Sequence, residues 1–453
     1  MKIDLLVAEI GSTTTVVNAF NLNPRPSFIG QGQSPTSVDE GDVNIGLKGA
    51  ISNLANCLRV DDIEYNELIA TSSAAGGLRM TIHGLVYDMT VKAAKEAALG
   101  AGANIKYITA GKLRNSDLKK VREINPNIIL IAGGVDYGER DTALYNSELI
   151  ANMDLNIPVI YAGNIENQEE VKELFMGKKS ELYIVENVYP KIDELNIEPT
   201  RKIIQDVFEK HIIHGPGMQK VRDMVTGPIM PTPGAVMEAS QILYGDIGDL
   251  LTIDVGGATT DVHSVTEGSE EISRILINPE PLAKRTVEGD LGVYVNMHNI
   301  VDMVGKEELL KELKISIDEL ETMISNYRPI PKSELEKSFV EKLTWHGVIT
   351  AVKRHAGRLR YLYGPSGKKT LAEGKDLTKV KTIIGTGGAL TRLPHRVEIL
   401  REIALNNKGN ELLPTKEAKI LIDNYYIMAS LGVMAKKYPE EALKLLKDSL
   451  DIE

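Results

Sequence analysis

One cysteine in 453 residues, Cys57, leaves this chain unable to form an internal disulfide. It also rules out an iron–sulfur cluster ligated by cysteines of one chain. Five phenylalanines and one tryptophan, Trp345, hold aromatic content to 5%, so the cores are expected to be aliphatic. No apolar run is long enough to span a bilayer. Positive charge is not in excess, since 52 Lys and Arg stand against 63 Asp and Glu, a net charge of −11. That balance argues against unaided nucleic-acid binding, which needs a basic footprint. The opening stretch, MKIDLLVAEIG, breaks its apolar run with Asp4 and Glu9 and is read as a buried strand, not a signal peptide. A reducing compartment, the cytoplasm, is therefore expected. The length exceeds what one core fills and suits two or three domains.

What is present is a glycine bend that recurs. Leu251 to Val265 reads LTIDVGGATTDVHSV: a β-forming run, a turn through Gly256, Gly257, Ala258 and Thr259, and a second β-forming run. Glycines at such a bend let backbone N–H groups turn inward and cradle anionic oxygens. Asp254 and Asp261 flank the turn. A carboxylate beside phosphates commonly holds magnesium, often through water. Alone, the stretch reads equally well as a surface hairpin. A second copy lies at Leu5 to Phe20, LLVAEIGSTTTVVNAF, with Glu9 at the strand end and Gly11, Ser12, Thr13 and Thr14 in the turn. A third glycine turn, TIIGTGGAL at Thr382 to Leu390, places Gly385, Gly387 and Gly388 between a strand and a helix.

These three elements, in this order, resemble the phosphate loops and adenosine turn of the actin, heat-shock chaperone and sugar-kinase ATPases. The resemblance implies an α/β fold of two ribonuclease H-like lobes that clamp Mg-ATP between them. It assigns Glu9 and Asp254 to the metal, and Glu238, Asp254 or Asp261 to orienting the attacking water. Glu238 belongs to VMEASQILYG, Val236 to Gly245, which fits a helix crossing between the lobes. A last helix of that kind is expected at Tyr425 to Met434, where Ala429, Ser430 and Gly432 permit close packing. The superfamily usually carries Asp where this chain has Glu9.

Within that superfamily EIGSTTT, IDVGGATTDVHSV, PTPGAVMEASQILYG and RTVEGDLGVYVN look like the MutL-type accessory factors encoded with glutamate mutase. That resemblance implies an ATP-dependent reactivating chaperone. It would free an adenosylcobalamin-dependent mutase or aminomutase of damaged cobalamin, with no nucleic-acid or membrane partner, and a homodimer is compatible with it. A small-molecule kinase of the same fold is the alternative, and neither a catalytic base nor an acceptor pocket stands out for it.

The remaining chain divides accordingly. Residues 1–85 begin the first lobe, 86–190 form an inserted parallel α/β domain, 191–249 return to the first lobe, and 250–453 make the second. The insert alternates strands and helices, and by analogy with diol-dehydratase reactivating factors it is the arm that engages the mutase. Ala74 to Arg79 reads as a glycine turn. His211 and His214 are spaced on a helix end, where capping or packing is favoured over metal binding. Pro279 to Val295, with Lys284, Arg285, Glu288 and Asp290, reads as a mixed-charge loop. Lys306 to Asn326 is predicted as one helix and Phe339 to Leu362 as another, long and basic. GPSGKKT at Gly364 to Thr370 lacks the leading glycine of a P-loop and reads as a surface turn.

Overall fold

Strand β1 (Lys2–Ile10) of the computed structural model buries every side chain from Leu5 to Ile10. The structure describes all residues except numbers 12–13, 38–41, 74–77, 212–221, 329, 365–366, 408 and 453. β2 (Thr14–Asn21) pairs antiparallel with β1, β3 (Ser27–Pro35) antiparallel with β2, and β4 (Glu64–Ser72) lies parallel to β1 on its other side. Between β3 and β4 the helix Val43–Leu58 buries Leu47, Ala50 and Leu54 at helical spacing, in one cluster with Ile3, Leu6 and Ala8. The Asp42 side chain caps it by accepting from the Asn44 N–H, 3.1 Å, one of the donors a helix start leaves unpaired.

Five parallel strands follow: β5 (Leu78–Gly84), β6 (Ala103–Ala110), β7 (Ile128–Ile131), β8 (Val159–Tyr161) and β9 (Leu182–Ile184). They pair in the order β6-β5-β7-β8-β9. β7 is four aliphatic residues buried on both faces, as a central parallel strand requires. This sheet uses a strand that precedes Val86. In β5, Met80 and Ile82 go to one core while polar Thr81 and His83 alternate with them, a pattern the preceding glycines obscure in the sequence.

His83 is fully buried, its Nδ1 2.8 Å from Thr109 Oγ1 and its Nε2 3.2 Å from Thr81 Oγ1. Burial disfavours the imidazolium and lowers its pKa to about 4. At pH 7 it is neutral whether folded or not. Below about 6.5 the unfolded chain takes up a proton that the folded chain refuses, so stability falls with pH until the folded value is reached. The loss amounts to roughly 3 kcal/mol across that window. Denaturant unfolding between pH 7.5 and pH 4.5 should show the decline, and His83→Gln should flatten it. An equal slope in that variant would contradict the assignment.

β10 (Ile229–Pro231) returns to pair parallel with β4, closing a sheet of order β10-β4-β1-β2-β3. After the helix Thr232–Ile247 come β11 (Leu250–Val255), β12 (Thr260–Val265), β13 (Ala283–Glu288), β14 (Arg358–Gly364), β15 (Gly367–Glu373), β16 (Thr382–Thr386) and β17 (Lys419–Ile422). β14 and β15 form a separate two-stranded ribbon, and the others make a sheet of order β13-β12-β11-β16-β17. Three antiparallel strands followed by two parallel ones, added on the far side of the first, describe this sheet and the β1 sheet alike. That shared order is the ribonuclease H-like fold, present twice, with the β5–β9 domain inserted in the first copy.

The chain separates into two units, Met1–Ala239 with Ala429–Leu445, and Ser240–Met428 with Leu446–Glu453. Within the first, the helix Met428–Met434 carries Gly432, where an added Cβ would fall inside the carbonyl group of Ala235. The small residue is what lets the two backbones meet. Gly432→Ala should therefore cost about 2 kcal/mol or more by overpacking, read as a lower midpoint of urea unfolding. An unchanged midpoint would mean that this contact is dispensable.

Three stretches depart from the sequence reading. Residues 283–288 are strand β13, not loop, because they pair with β12 and Arg285 meets Asp261 across the sheet. The predicted helix over 306–326 is two, Lys306–Leu313 and Ile317–Ser325, parted where Lys314 turns left-handed and Ser316 caps the second. The long helix runs Glu334–His355 and stops before Gly357, so Arg358 to Leu362 belong to β14. Among the described residues no helix is long and apolar enough to cross a membrane.

Candidate phosphate-binding site

The turn between β11 and β12 is held open on one side and tied down on the other. It closes with one backbone bond, Gly256 N–H to the Thr259 carbonyl at 2.9 Å. Its outward carbonyls are taken by the segment after β13. Val293 N–H donates to Gly256 O at 3.2 Å, and Tyr294 and Val295 N–H donate to Gly257 O at 2.9 and 2.7 Å. Asn296 Nδ2 donates to Ala258 O at 2.7 Å and to Gly289 O at 2.8 Å. No acceptor among the described residues serves the N–H groups of Gly257, Ala258 and Thr259. Consecutive backbone donors of this kind at a glycine turn are suited to anionic oxygens.

β16 lies parallel beside β11, with Asp254 opposite Thr386, which brings the third glycine turn to the same sheet edge. Gly387 sits at φ +85°, and a Cβ there would lie 2.5 and 2.6 Å from the backbone O and N of Val255 and would also meet the Asp254 carboxylate. No side chain fits, so the turn can approach Asp254 only as glycine. Gly388 is exposed with open space beside it, whereas the room left by Gly385 is filled by Leu400 and Ile422. Gly385 thus leaves its side-chain space to core packing.

Asp254 is half-buried at the end of β11, directly opposite Asp261. Asp261 is 4% exposed, and Arg285, 3% exposed, reaches its Oδ1 with Nε at 3.0 Å and Nη2 at 2.6 Å. Thr259 Oγ1 donates to Oδ2 at 2.9 Å. Both oxygens of Asp261 are engaged, and it positions the turn through Thr259. On the same strand His263 is fully buried with no hydrogen-bond partner for either ring nitrogen among the described residues, and burial with the neighbouring Arg285 charge holds its pKa well below the usual histidine value.

The β1–β2 turn of the first unit repeats the construction. Gly11 N–H bonds to the Thr14 carbonyl at 3.0 Å, and Thr36 Oγ1 donates to the Gly11 carbonyl at 2.9 Å. Ser12 and Thr13 lie outside the described residues. Glu9, two residues before its glycine as Asp254 is before Gly256, is 7% exposed. Its Oε1 accepts from Ser430 N–H at 3.1 Å, Ser430 Oγ at 2.6 Å and Asn18 Nδ2 at 3.3 Å. Glu238, also of the first unit, is ion-paired with Arg201 at 3.1 Å and Lys436 at 3.4 Å. The structure thus brings Asp254, the 256–259 turn, Asp261 and the Gly387–Gly388 turn together in the second unit. Glu9, Gly11, Thr14 and Glu238 belong to the first. His211 ends the helix Ile197–His211, and His214 is outside the described residues.

Among the described residues no three His, Cys, Asp or Glu side chains are grouped to hold a metal ion. Magnesium beside phosphates needs only one or two carboxylates, because phosphate and water supply its other ligands, so lone acids at strand ends fit it. Sequence reasoning gave no site role to Arg285 and Asn296, the ends of RTVEGDLGVYVN, and did not single out Asp423. Asp423 follows β17, is 1% exposed, and accepts from Thr386 Oγ1 at 2.9 Å and from the Ile427 and Met428 N–H groups at 3.0 and 2.9 Å. The available signal was its place at a strand end, matching those of Glu9 and Asp254.

A family model described as MutL protein matches residues 5–450. Protein MutL of Clostridium tetanomorphum is 33% identical over 457 residues, covering 98% of this chain and 98% of its own length. Among solved structures, a diol dehydratase-reactivating factor in nucleotide-free form aligns over 97% of this chain and 100% of its own, at 12% identity and a TM-score of 0.37. A xylulose kinase from Lactobacillus acidophilus aligns over 99% and 91%, at 9% identity and a TM-score of 0.34. Both structural likenesses are remote.

Proposed function

This chain belongs to the MutL protein family, and from that premise we propose that it is a Mg-ATP-dependent reactivating chaperone. It releases damaged corrinoid from an adenosylcobalamin-dependent mutase or aminomutase so that intact coenzyme can enter. The observation that carries the nucleotide part is the row of N–H groups from Gly257 to Thr259 that no acceptor among the described residues serves, with the Gly256, Gly257 and Ala258 carbonyls tied back by residues 293–296. Such donors hold a phosphoryl group and offset charge as it develops during transfer. Gly387 and Gly388 take the adenosine side, and Gly11 to Thr14 in the first unit is assigned the same phosphate chemistry as its counterpart. Magnesium would be held near Asp254, chiefly through water, and would supply charge neutralisation on the phosphates; Glu9 is the corresponding strand-end acid of the first unit.

Asp254 is assigned the orientation of the attacking water. The engaged oxygens of Asp261 and the ion pairs of Glu238 support positioning roles for those two acids. The inserted β5–β9 domain is assigned to the enzyme partner. The test mixes the protein with an adenosylcobalamin-dependent mutase carrying inactivated cobalamin and follows corrinoid release by absorbance. Release with Mg-ATP and none without it is expected. Absence of release, together with phosphorylation of a small sugar or acid when no mutase is present, would replace this reading with a kinase.

A further inference from the structure

The β14–β15 ribbon is anchored at its base and bare beyond it. At the base, Leu359 N–H donates to Asn410 O at 2.7 Å, Ala372 N–H to Ile275 O at 2.8 Å, and Ile277 N–H to Ala372 O at 2.8 Å. From 361 to 370 no backbone hydrogen bond from described residues outside the ribbon reaches either strand. A two-stranded hairpin is marginal in water, and free strand edges are usually blunted or covered. Here the outer half instead carries Leu362, 53% exposed, and Tyr363, 79% exposed.

Its charge runs against that of the chain. Between 358 and 369 lie Arg358, Arg360, Lys368 and Lys369 and no acid, within a protein of net charge −11. Arg358 and Arg360 share one carboxylate, Glu373. Lys368 Nζ stands 3.5 Å from the centre of the Tyr361 ring, which holds its charge beside the exposed aromatic surface. Lys369 has no acidic partner among the described residues. Tyrosine and arginine are enriched where binding energy concentrates at protein interfaces, and cations beside them steer an acidic partner.

We propose that the outer β14–β15 ribbon is a docking arm for an acidic face of a protein partner. The function proposed above names that partner as the cobalamin-dependent enzyme. A nucleic acid would meet repulsion from the acidic remainder of the chain, and four cations make a small footprint for it. Two exposed apolar side chains are too few to hold a membrane surface.

The test uses the full chain and purified glutamate mutase holoenzyme. Affinity is measured at about 50 and about 300 mM salt, where screening separates steered from unsteered contacts. Corrinoid release and mutase-free ATP hydrolysis are followed in parallel. Binding by the wild-type chain should weaken severalfold with salt. Lys368→Glu/Lys369→Glu should weaken it about tenfold or more at low salt, and Tyr363→Ser should weaken it at both salts, with mutase-free hydrolysis unchanged in each. Unchanged affinity in both variants overturns the docking arm and leaves the reactivation reading standing. Binding with ribbon dependence but without corrinoid release overturns the reactivation reading alone. No binding of the mutase, or loss in the variants of binding to transfer RNA or anionic vesicles while mutase affinity persists, overturns the proposed arm.

Discussion

Asp254→Ala is expected to lower ATP hydrolysis by on the order of 100-fold or more and to abolish corrinoid release with it. The carboxylate stands at the end of β11, beside the N–H row of the 256–259 turn and against the Gly387 backbone. Groups that fix charge and water in phosphoryl transfer carry effects of that size. Asp254 is half-buried at a strand end and outside the hydrophobic core, so the fold should persist, and circular dichroism and the unfolding midpoint should stay near wild type. Asp254→Asn keeps shape and hydrogen bonding and loses the charge. If the charge is what matters, it should be nearly as inactive as the alanine variant. Hydrolysis within about threefold of wild type in both would move the metal-binding role to another acid.

Arg285→Ala should be the most damaging substitution for stability in the second unit. It leaves the Asp261 carboxylate, 4% exposed, without its cation. Breaking one side of a buried pair costs about 3–5 kcal/mol, because the remaining charge stays desolvated. Asp261→Asn/Arg285→Met removes both charges and should recover most of that loss. The double variant separates an electrostatic role from simple packing, which would leave the two variants equally unstable. Denaturant midpoints for the single and double variants supply the comparison, and a single-variant loss below about 1 kcal/mol would contradict the buried pair.

Local signals were legible in the sequence where a turn announces itself. Both acid-then-glycine bends fall between the strands expected for them, since a short apolar strand and a glycine turn are decided by neighbouring residues. The helix expected over Val236 to Gly245 lies within Thr232–Ile247. Elements decided by distant partners were not. Residues 283–288, AKRTVE, look like solvated loop until Asp261 is placed opposite, and then Arg285 is one of the most buried charges in the unit. LRYLY after His355 continues a helical rhythm, and only the break at Gly357 and the pairing of β14 with β15 make it a strand. β5 hid behind a glycine run. The site residues of greatest structural consequence, Asn296 and Arg285, act on the turn from outside it. They are the two ends of RTVEGDLGVYVN, and nothing local in that stretch shows which turn they reach.

In the proposed function, backbone donors of one turn receive the phosphates. Hydrogen–deuterium exchange of the full chain, with and without Mg and a non-hydrolysable ATP analogue, tests it most directly. Exchange at Gly257, Ala258 and Thr259 should slow by about tenfold or more on nucleotide binding, because each N–H gains an acceptor. Saturable nucleotide binding that leaves those three amides exchanging at their former rate would contradict it.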